Sequence, residues 1–260
     1  MTHLDINFFS SVFTRTQRMR VMLPRPDMVL PPEGPAVLYL LHGFSDGCDS
    51  FLQNSALARY CDDLPLCIVM PDADKSFYAN MRFGDAYWTH ISQEVPDFIQ
   101  KTFRVNTAPD KTFVGGVSMG GYGAIKFMLQ KPCSEAFLFS PATDVIATMN
   151  GRVKQVNGIQ PFTPEQLSLQ NVFDPEKIAG SEDDLLSVLR NTTKKLPHLH
   201  IYCGREDFLY DEIQVFCNLL NSKGQSFEYT ESDGGHCWAT WEQYFAEMAD
   251  ILRERLLKKN

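Results

Sequence analysis

Apolar residues fall into short continuous runs separated by longer stretches of helical period. Ala36-Val37-Leu38-Tyr39-Leu40-Leu41, Leu66-Cys67-Ile68-Val69-Met70, Phe113-Val114 and Ala136-Phe137-Leu138-Phe139 are such runs. Their strand length and lack of alternation predict strands buried on both faces. Leu199 to Gly204 and Phe227 to Thr230 continue the series. Between them, Gln53 to Tyr60 predicts a short helix. Trp88 to Thr102 predicts a longer one with Ile91, Val95, Phe98 and Ile99 on one face. Tyr122 to Gln130, Glu212 to Ser222 and a long final stretch carrying Trp241, Tyr244, Phe245, Met248, Ile251 and Leu252 are also helical. Ile6 to Leu23 alternates polar and apolar positions and ends at Pro24-Arg25-Pro26. It predicts one or two antiparallel edge strands.

Strands alternating with helices over the whole length predict an α/β fold with a mostly parallel central sheet and helices on both faces. At 260 residues the chain has the size of one such domain, 1–260. Residues 145–195 depart from the pattern: they are polar and carry several short helix signals. Thr163-Pro164-Glu165-Gln166 is a capping box with Pro at the first helical position. Asp174-Pro175 and Ser181-Glu182-Asp183-Asp184 open further turns or helices. This segment is expected to be a small helical cap inserted above the sheet.

Composition narrows the partners. A formal net charge of −8 argues against nucleic acid and anionic membrane surfaces. No apolar run approaches the ~18 residues of a membrane span, and Met1-Thr2-His3-Leu4-Asp5 lacks the features of a signal peptide. Seven cysteines without an export signal point to reduced thiols and a cytoplasmic protein. His198 and His200 alternate on one strand face, but no second ligand pair is spaced to complete a zinc site. The expectation is no metal and no cofactor. Homo-oligomerisation stays open.

The chemistry centres on Gly115-Gly116-Val117-Ser118-Met119-Gly120-Gly121. A strand leads into it and a helix leads out, the setting in which G-x-S-x-G forms a nucleophile elbow. The tight turn strains Ser118, and side chains two residues before and after it would collide, which requires Gly at both. No Gly-Lys-Ser/Thr or G-x-G-x-x-G marks a phosphate-binding loop instead. A serine hydroxyl needs a base, and the base needs an orienting carboxylate. Asp207 follows the strand ending at Gly204, and His236 follows the strand ending at Thr230, so Ser118, Asp207 and His236 lie in the order of α/β hydrolases. Asp144 also lies after a strand between Ser118 and His236 and is the rival acid. Oxyanion donors are expected at the backbone N–H groups of Met119 and of Phe44, in the loop after the first buried strand. Tyr78, Tyr87 and Trp88, with Phe77, are candidates for an acyl or aromatic pocket, with core packing the competing reading.

Leu41-His42-Gly43-Phe44, the S-M-G-G elbow, Gly204-Arg205-Glu206-Asp207 and Gly235-His236-Cys237-Trp238 together resemble the esterase D-like branch of the α/β hydrolases, running from about residue 6 to the final helix. Within that branch the chain is most similar to bacterial tributyrin esterases. S-formylglutathione hydrolases, feruloyl esterases and acetyl-xylan esterases are relatives. The resemblance implies a cofactor-free serine carboxylesterase acting on short-chain acyl esters of small molecules, with Ser118, Asp207 and His236 as the triad and Phe44 and Met119 as oxyanion donors. The alternatives are an esterase of plant-polymer fragments, a thioesterase of the S-formylglutathione type, or an inert binding protein on the same fold. His42-Gly43-Phe44-Ser45-Asp46 departs from the Ser-Gly-Leu-Thr-Cys-like stretch usual in S-formylglutathione hydrolases, which weighs against the thioesterase.

Overall fold

A computed structural model of the chain describes residues 1–150 and 169–257. The continuous apolar runs all form strands: β3 (Ala36–Leu41), β4 (Leu66–Pro71), β5 (Thr112–Val117), β6 (Glu135–Phe139), β7 (His198–Gly204) and β8 (Phe227–Ser232). The alternating N-terminal stretch is two strands, β1 (Thr2–Ser10) and β2 (Arg15–Leu23), paired as an antiparallel hairpin. The sheet has eight strands in the order β1-β2-β4-β3-β5-β6-β7-β8. β2 joins β4 antiparallel, and every pair from β4 to β8 is parallel.

Period two along the central strands divides the core. Val37, Tyr39 and Leu41 of β3 face one apolar layer, and Ala36, Leu38 and Leu40 face the other. The helix Met119–Gln130 and the helix Tyr210–Ser222 cover the first layer; the final helix Trp238–Leu257 covers the second. Each large side chain so buried contributes roughly 2 kcal/mol. The strand order places the site. The chain steps from β3 to β4 on one side and then returns to β5 on the other side of β3. At such a reversal the loops at the carboxyl ends of the two central strands diverge and leave a crevice. Here those are the loops after Leu41 and after Val117.

Three elements differ from the sequence pattern. The helix expected over Gln53–Tyr60 is two short helices, Ser50–Asn54 and Leu57–Tyr60. Ser55 is extended between them; its hydroxyl donates to Phe51 O at 2.5 Å and accepts from Leu57 N–H, so the side chain replaces helix hydrogen bonds. The helix expected from Trp88 runs over 87–102 but widens to a π-turn at His90–Glu94. Pro96 follows after Val95. It has no N–H to give and its ring crowds the preceding turn, and the wider turn accommodates it. Glu94 in this turn ties the β1–β2 hairpin to the body through Ser10 Oγ (2.5 Å), Ser11 N–H (2.6 Å) and His90 Nδ1 (2.6 Å). Burial alone would raise its carboxyl pKa, but these hydrogen bonds outweigh burial and bring it down to about 2. The elbow helix, finally, starts at Met119, immediately after Ser118, rather than at Tyr122.

Within 145–195 the described parts are three short helices, Val145–Met149, Leu169–Val172 and Leu185–Asn191. Leu169, Val172, Phe173, Leu185 and Leu189 are buried in the same layer as the elbow helix. Tyr122 O–H donates to Asp183 O at 2.7 Å, and Lys126 Nζ pairs with the Asp183 carboxylate. The capping box at Thr163–Gln166 lies outside the described residues. Among those residues, no helix is long and apolar enough to cross a membrane.

Candidate active site

Ser118 sits between β5 and the elbow helix at φ +55° and ψ −117°. A non-glycine residue at positive φ costs on the order of 1–3 kcal/mol and persists only where its surroundings impose it. Two glycines allow it. A Cβ on Gly116 would lie 2.2 Å from the Gly120 carbonyl oxygen, and one on Gly120 would lie 1.9 Å from the Leu41 oxygen. The backbone is thus closed tightly enough to lift the Ser118 hydroxyl off the end of the sheet. Ser118 N–H donates to Phe139 O at 2.9 Å, and Ala142 N–H donates to Ser118 O at 3.0 Å, which ties the elbow to the neighbouring strand.

The loops after β7 and β8 are joined to each other. Arg205 N–H donates to Ser232 O at 2.8 Å and Glu206 N–H to Gly234 O at 3.0 Å. The Arg205 guanidinium reaches Glu231 (2.9 Å) and Asp233 (2.8 Å). This pairing brings Asp207 from one loop against His236 from the other. His236 Nδ1 lies 3.0 and 2.9 Å from the two Asp207 carboxylate oxygens, and His236 Nε2 lies 2.8 Å from Ser118 Oγ. Asp207 is 3% exposed and also accepts Leu209 N–H at 2.8 Å, so its carboxylate is fixed by two donors. The imidazole is held between the Phe208 ring (4.3 Å) and the edge of Trp241 (5.0 Å). With Nδ1–H given to Asp207, Nε2 presents its lone pair to the Ser118 hydroxyl.

Asp144, the rival acid, is used elsewhere. Its carboxylate accepts Ala147 N–H at 2.8 Å as the cap of Val145–Met149, and its own N–H donates to Glu212 Oε1 at 2.7 Å.

The loop after β3 adjoins Ser118: a Cβ on Gly43 would lie 3.7 Å from Ser118 Cβ. His42 braces this loop. Its Nδ1 meets Gly43 O at 2.8 Å, its Nε2 accepts Ala73 N–H at 2.9 Å, and its own carbonyl accepts the Tyr78 hydroxyl at 3.0 Å. Asp72 stands 3.5 Å from His42 Nε2. Burial pushes its carboxyl pKa up, but the net shift is downward, with the backbone N–H groups of Asp74 and Ala73 among the groups that hold it below its ordinary value. Met119 is the first residue of the elbow helix, where the backbone N–H groups have no partner within the helix and favour negative charge.

A cavity of about 280 Å³ opens at Ser118 and His236, walled by Phe44, Trp238 and Trp241 with Asp46 and Cys237 at its side. The aromatic residues singled out from the sequence are placed differently. Tyr78 is fully buried with its hydroxyl on His42 O. Tyr87 packs on Phe13 at 4.7 Å, and Trp88 donates to Gln130 Oε1 at 2.9 Å with Lys126 Nζ over its ring. The Tyr78 hydroxyl and the Trp88 indole have partners in the body of the protein, and none of the three is among the residues that line the cavity beside Ser118. The walls are instead Trp238 and Trp241, from the first turn of the final helix. That turn follows the Gly235-His236-Cys237-Trp238 stretch, so proximity in sequence to His236 was the available signal.

Comparison with known proteins identifies the family and the fold. A family profile described as "Putative esterase" matches residues 10–251. An acetyl esterase of Caldicellulosiruptor saccharolyticus is 26% identical over 261 residues, covering 95% of this chain and 96% of that protein. Among solved structures, a substrate-bound fluorophosphonate-binding serine hydrolase F of Staphylococcus aureus is 27% identical with a TM-score of 0.83 and covers 96% of this chain and 98% of that one. An S-formylglutathione hydrolase of Staphylococcus aureus is also 27% identical, with a TM-score of 0.80 and the same coverage. A ferulic acid esterase at 20% identity and TM-score 0.78, covering 98% of each chain, shares the fold. The chain belongs to the esterase family, in the esterase D-like branch of the α/β hydrolases, and is a serine carboxylester hydrolase.

Proposed function

We propose that this chain hydrolyses short-chain acyl esters of neutral small molecules through an acyl-enzyme on Ser118. The observation that carries the reading is the unbroken hydrogen-bond line from Asp207 through His236 to Ser118 Oγ at the mouth of a small apolar cavity. In the reaction, Ser118 Oγ attacks the ester carbonyl carbon as His236 Nε2 takes its proton. Asp207 keeps the proton on His236 Nδ1 and stabilises the imidazolium that forms. The carbonyl oxygen becomes an oxyanion that accepts the N–H groups of Met119 and Phe44. His236 then gives its proton to the departing alcohol. Water, deprotonated by the same imidazole, attacks the acyl-enzyme and releases the acid.

Size and charge support the substrate class. About 280 Å³ is at the small end for ligand sites and suits a short acyl group. Among the described lining residues Asp46 is the one carboxylate and there is no Lys or Arg, which favours neutral esters over anionic ones, although Lys75 Nζ lies 5.1 Å from the Phe44 ring. We read residues 145–195 as a cap beside the site, because Phe173 in its described part reaches the Phe77 and Tyr122 rings and Phe77 in turn meets the Phe44 ring of the cavity wall. The seven unpaired cysteines support a reducing, cytoplasmic setting.

A panel of acetyl, butyryl and feruloyl esters with S-formylglutathione tests the assignment. The acetyl and butyryl esters are expected to exceed the other two in kcat/KM by at least about tenfold, a difference of ~1.4 kcal/mol in transition-state binding. Highest kcat/KM on S-formylglutathione would replace this reading with the thioesterase one.

A further inference from the structure

The N-terminal ends of β6, β7 and β8 bring together a group of side chains that ester hydrolysis does not use. Register sets it up: Glu135 pairs with His198, Phe137 with His200, and His200 with Glu228. Period two along each strand then puts Glu135, His198, His200 and Glu228 on one face of the sheet. One ligand atom from each of His198, His200 and Glu228 lies within 4.8 Å of the others. The group is at the opposite end of β7 from Gly204, roughly 13–20 Å away along the seven-residue strand.

His200 is the informative member. Its side chain is 3% exposed, and its Nε2 lies 2.8 Å from a Glu135 carboxylate oxygen, which Arg255 pairs from the other side. A carboxylate partner requires the proton on Nε2, which leaves Nδ1 of the neutral ring with a lone pair. Nδ1 is buried and makes no hydrogen bond. It faces Glu228 Oε2 at 3.3 Å. A lone pair held against a carboxylate oxygen is unfavourable, and a cation between them reverses the sign. Phe137, stacked on the His200 ring at 4.9 Å and 11°, keeps Nδ1 aimed at that position.

The geometry points to a divalent transition-metal site, best suited to Zn2+, with His198 Nε2, His200 Nδ1 and the Glu228 carboxylate as ligands and water in the fourth position. At Zn–N and Zn–O distances of about 2.0–2.2 Å, the edges of a tetrahedron are ~3.3 Å. Glu228 Oε2 lies 3.3 Å from His200 Nδ1 and Glu228 Oε1 lies 3.5 Å from His198 Nε2, while the three ligand atoms together span up to 4.8 Å, so binding draws the exposed carboxylate and His198 in toward His200. Glu135 holds the far nitrogen of His200, the carboxylate–histidine–metal arrangement that fixes tautomer and orientation. His198 is 28% and Glu228 63% exposed, so the metal enters from solvent. Bound there, it clamps β7 to β8, whose other ends carry the Asp207 and His236 loops. The His198–His200 spacing alone lacks a third ligand because Glu228 comes from the neighbouring strand.

The test is titration of chelator-treated, dialysed full-length protein with Zn2+ by calorimetry, with Co2+ as a spectroscopic stand-in. One Zn2+ is expected to bind per chain with micromolar or tighter affinity. Tm should rise with Zn2+ concentration, and Co2+ should give the visible bands of a tetrahedral site. His198→Ala, at a half-buried position, and Glu228→Gln, at an exposed one, should each weaken Zn2+ by at least about tenfold. In the metal-free state both variants should keep ester hydrolysis and circular dichroism unchanged. Absence of saturable binding at about 100 μM Zn2+ overturns the proposal. So does binding that survives both substitutions but is lost in Cys237→Ser, which would place the metal at the exposed thiol beside Ser118.

Discussion

Ser118→Ala is expected to lower kcat for a short p-nitrophenyl ester by about 10⁴-fold or more, with Tm and circular dichroism near those of the wild type. The factor corresponds to ~5.4 kcal/mol of lost transition-state stabilisation. It is large because, among the described residues, Ser118 Oγ is the group aligned with His236 Nε2, at 2.8 Å. The fold survives because the elbow is imposed by backbone closure at Gly116 and Gly120, not by the serine hydroxyl. Alanine at φ +55° has the same steric cost as serine. A variant with activity within tenfold of the wild type would mean that the nucleophile is elsewhere. A variant that fails to fold would mean that the hydroxyl holds the elbow, contrary to the geometry.

Asp207→Asn is expected to have an effect of similar size, about 10⁴-fold in kcat, by a different route. The wild-type carboxylate accepts from both His236 Nδ1 and Leu209 N–H. An Asn amide must keep its carbonyl oxygen on Leu209 N–H, because that donor is buried and costs about 1–3 kcal/mol when left without a partner. The amide NH2 then faces His236 Nδ1 and forces it to accept. The ring proton moves to Nε2, which can no longer take the Ser118 proton. Substrate binding is untouched, so KM should change by less than about threefold while kcat falls. A variant that loses KM and keeps kcat would assign Asp207 to substrate binding instead.

How much of this was legible in the sequence depended on whether a feature is local. The strands were legible because continuous apolar runs such as Ala36–Leu41 have one stable use in an α/β protein, burial on both faces. The elbow was legible because its steric demand falls on two glycines within five residues. Asp207 and His236 were reached through chain order and strand ends, and the structure puts both within hydrogen-bond reach of the Ser118 line. What failed to show was lateral. Tyr78, Tyr87 and Trp88 have the composition of a pocket, but composition does not say which side of a loop a ring occupies; here two of them hold hydrogen bonds in the body. Trp241 reads as one more core position of the final helix, yet its edge meets the imidazole. The break at Ser55 rests on a side chain competing with the helix backbone, and the pattern of apolar residues carries no trace of it. The clustering of Glu228 with His198 and His200 exists only through strand register.

The central claim is that Ser118, and not the exposed Cys237 in the same cavity, carries the acyl group. It is tested most directly by treating the protein with a fluorophosphonate probe and mapping the adduct by peptide mass spectrometry. The account predicts one adduct per chain, on Ser118, absent from Ser118→Ala and unaffected by Cys237→Ser. No adduct, or an adduct on Cys237 that persists in Ser118→Ala, would contradict it.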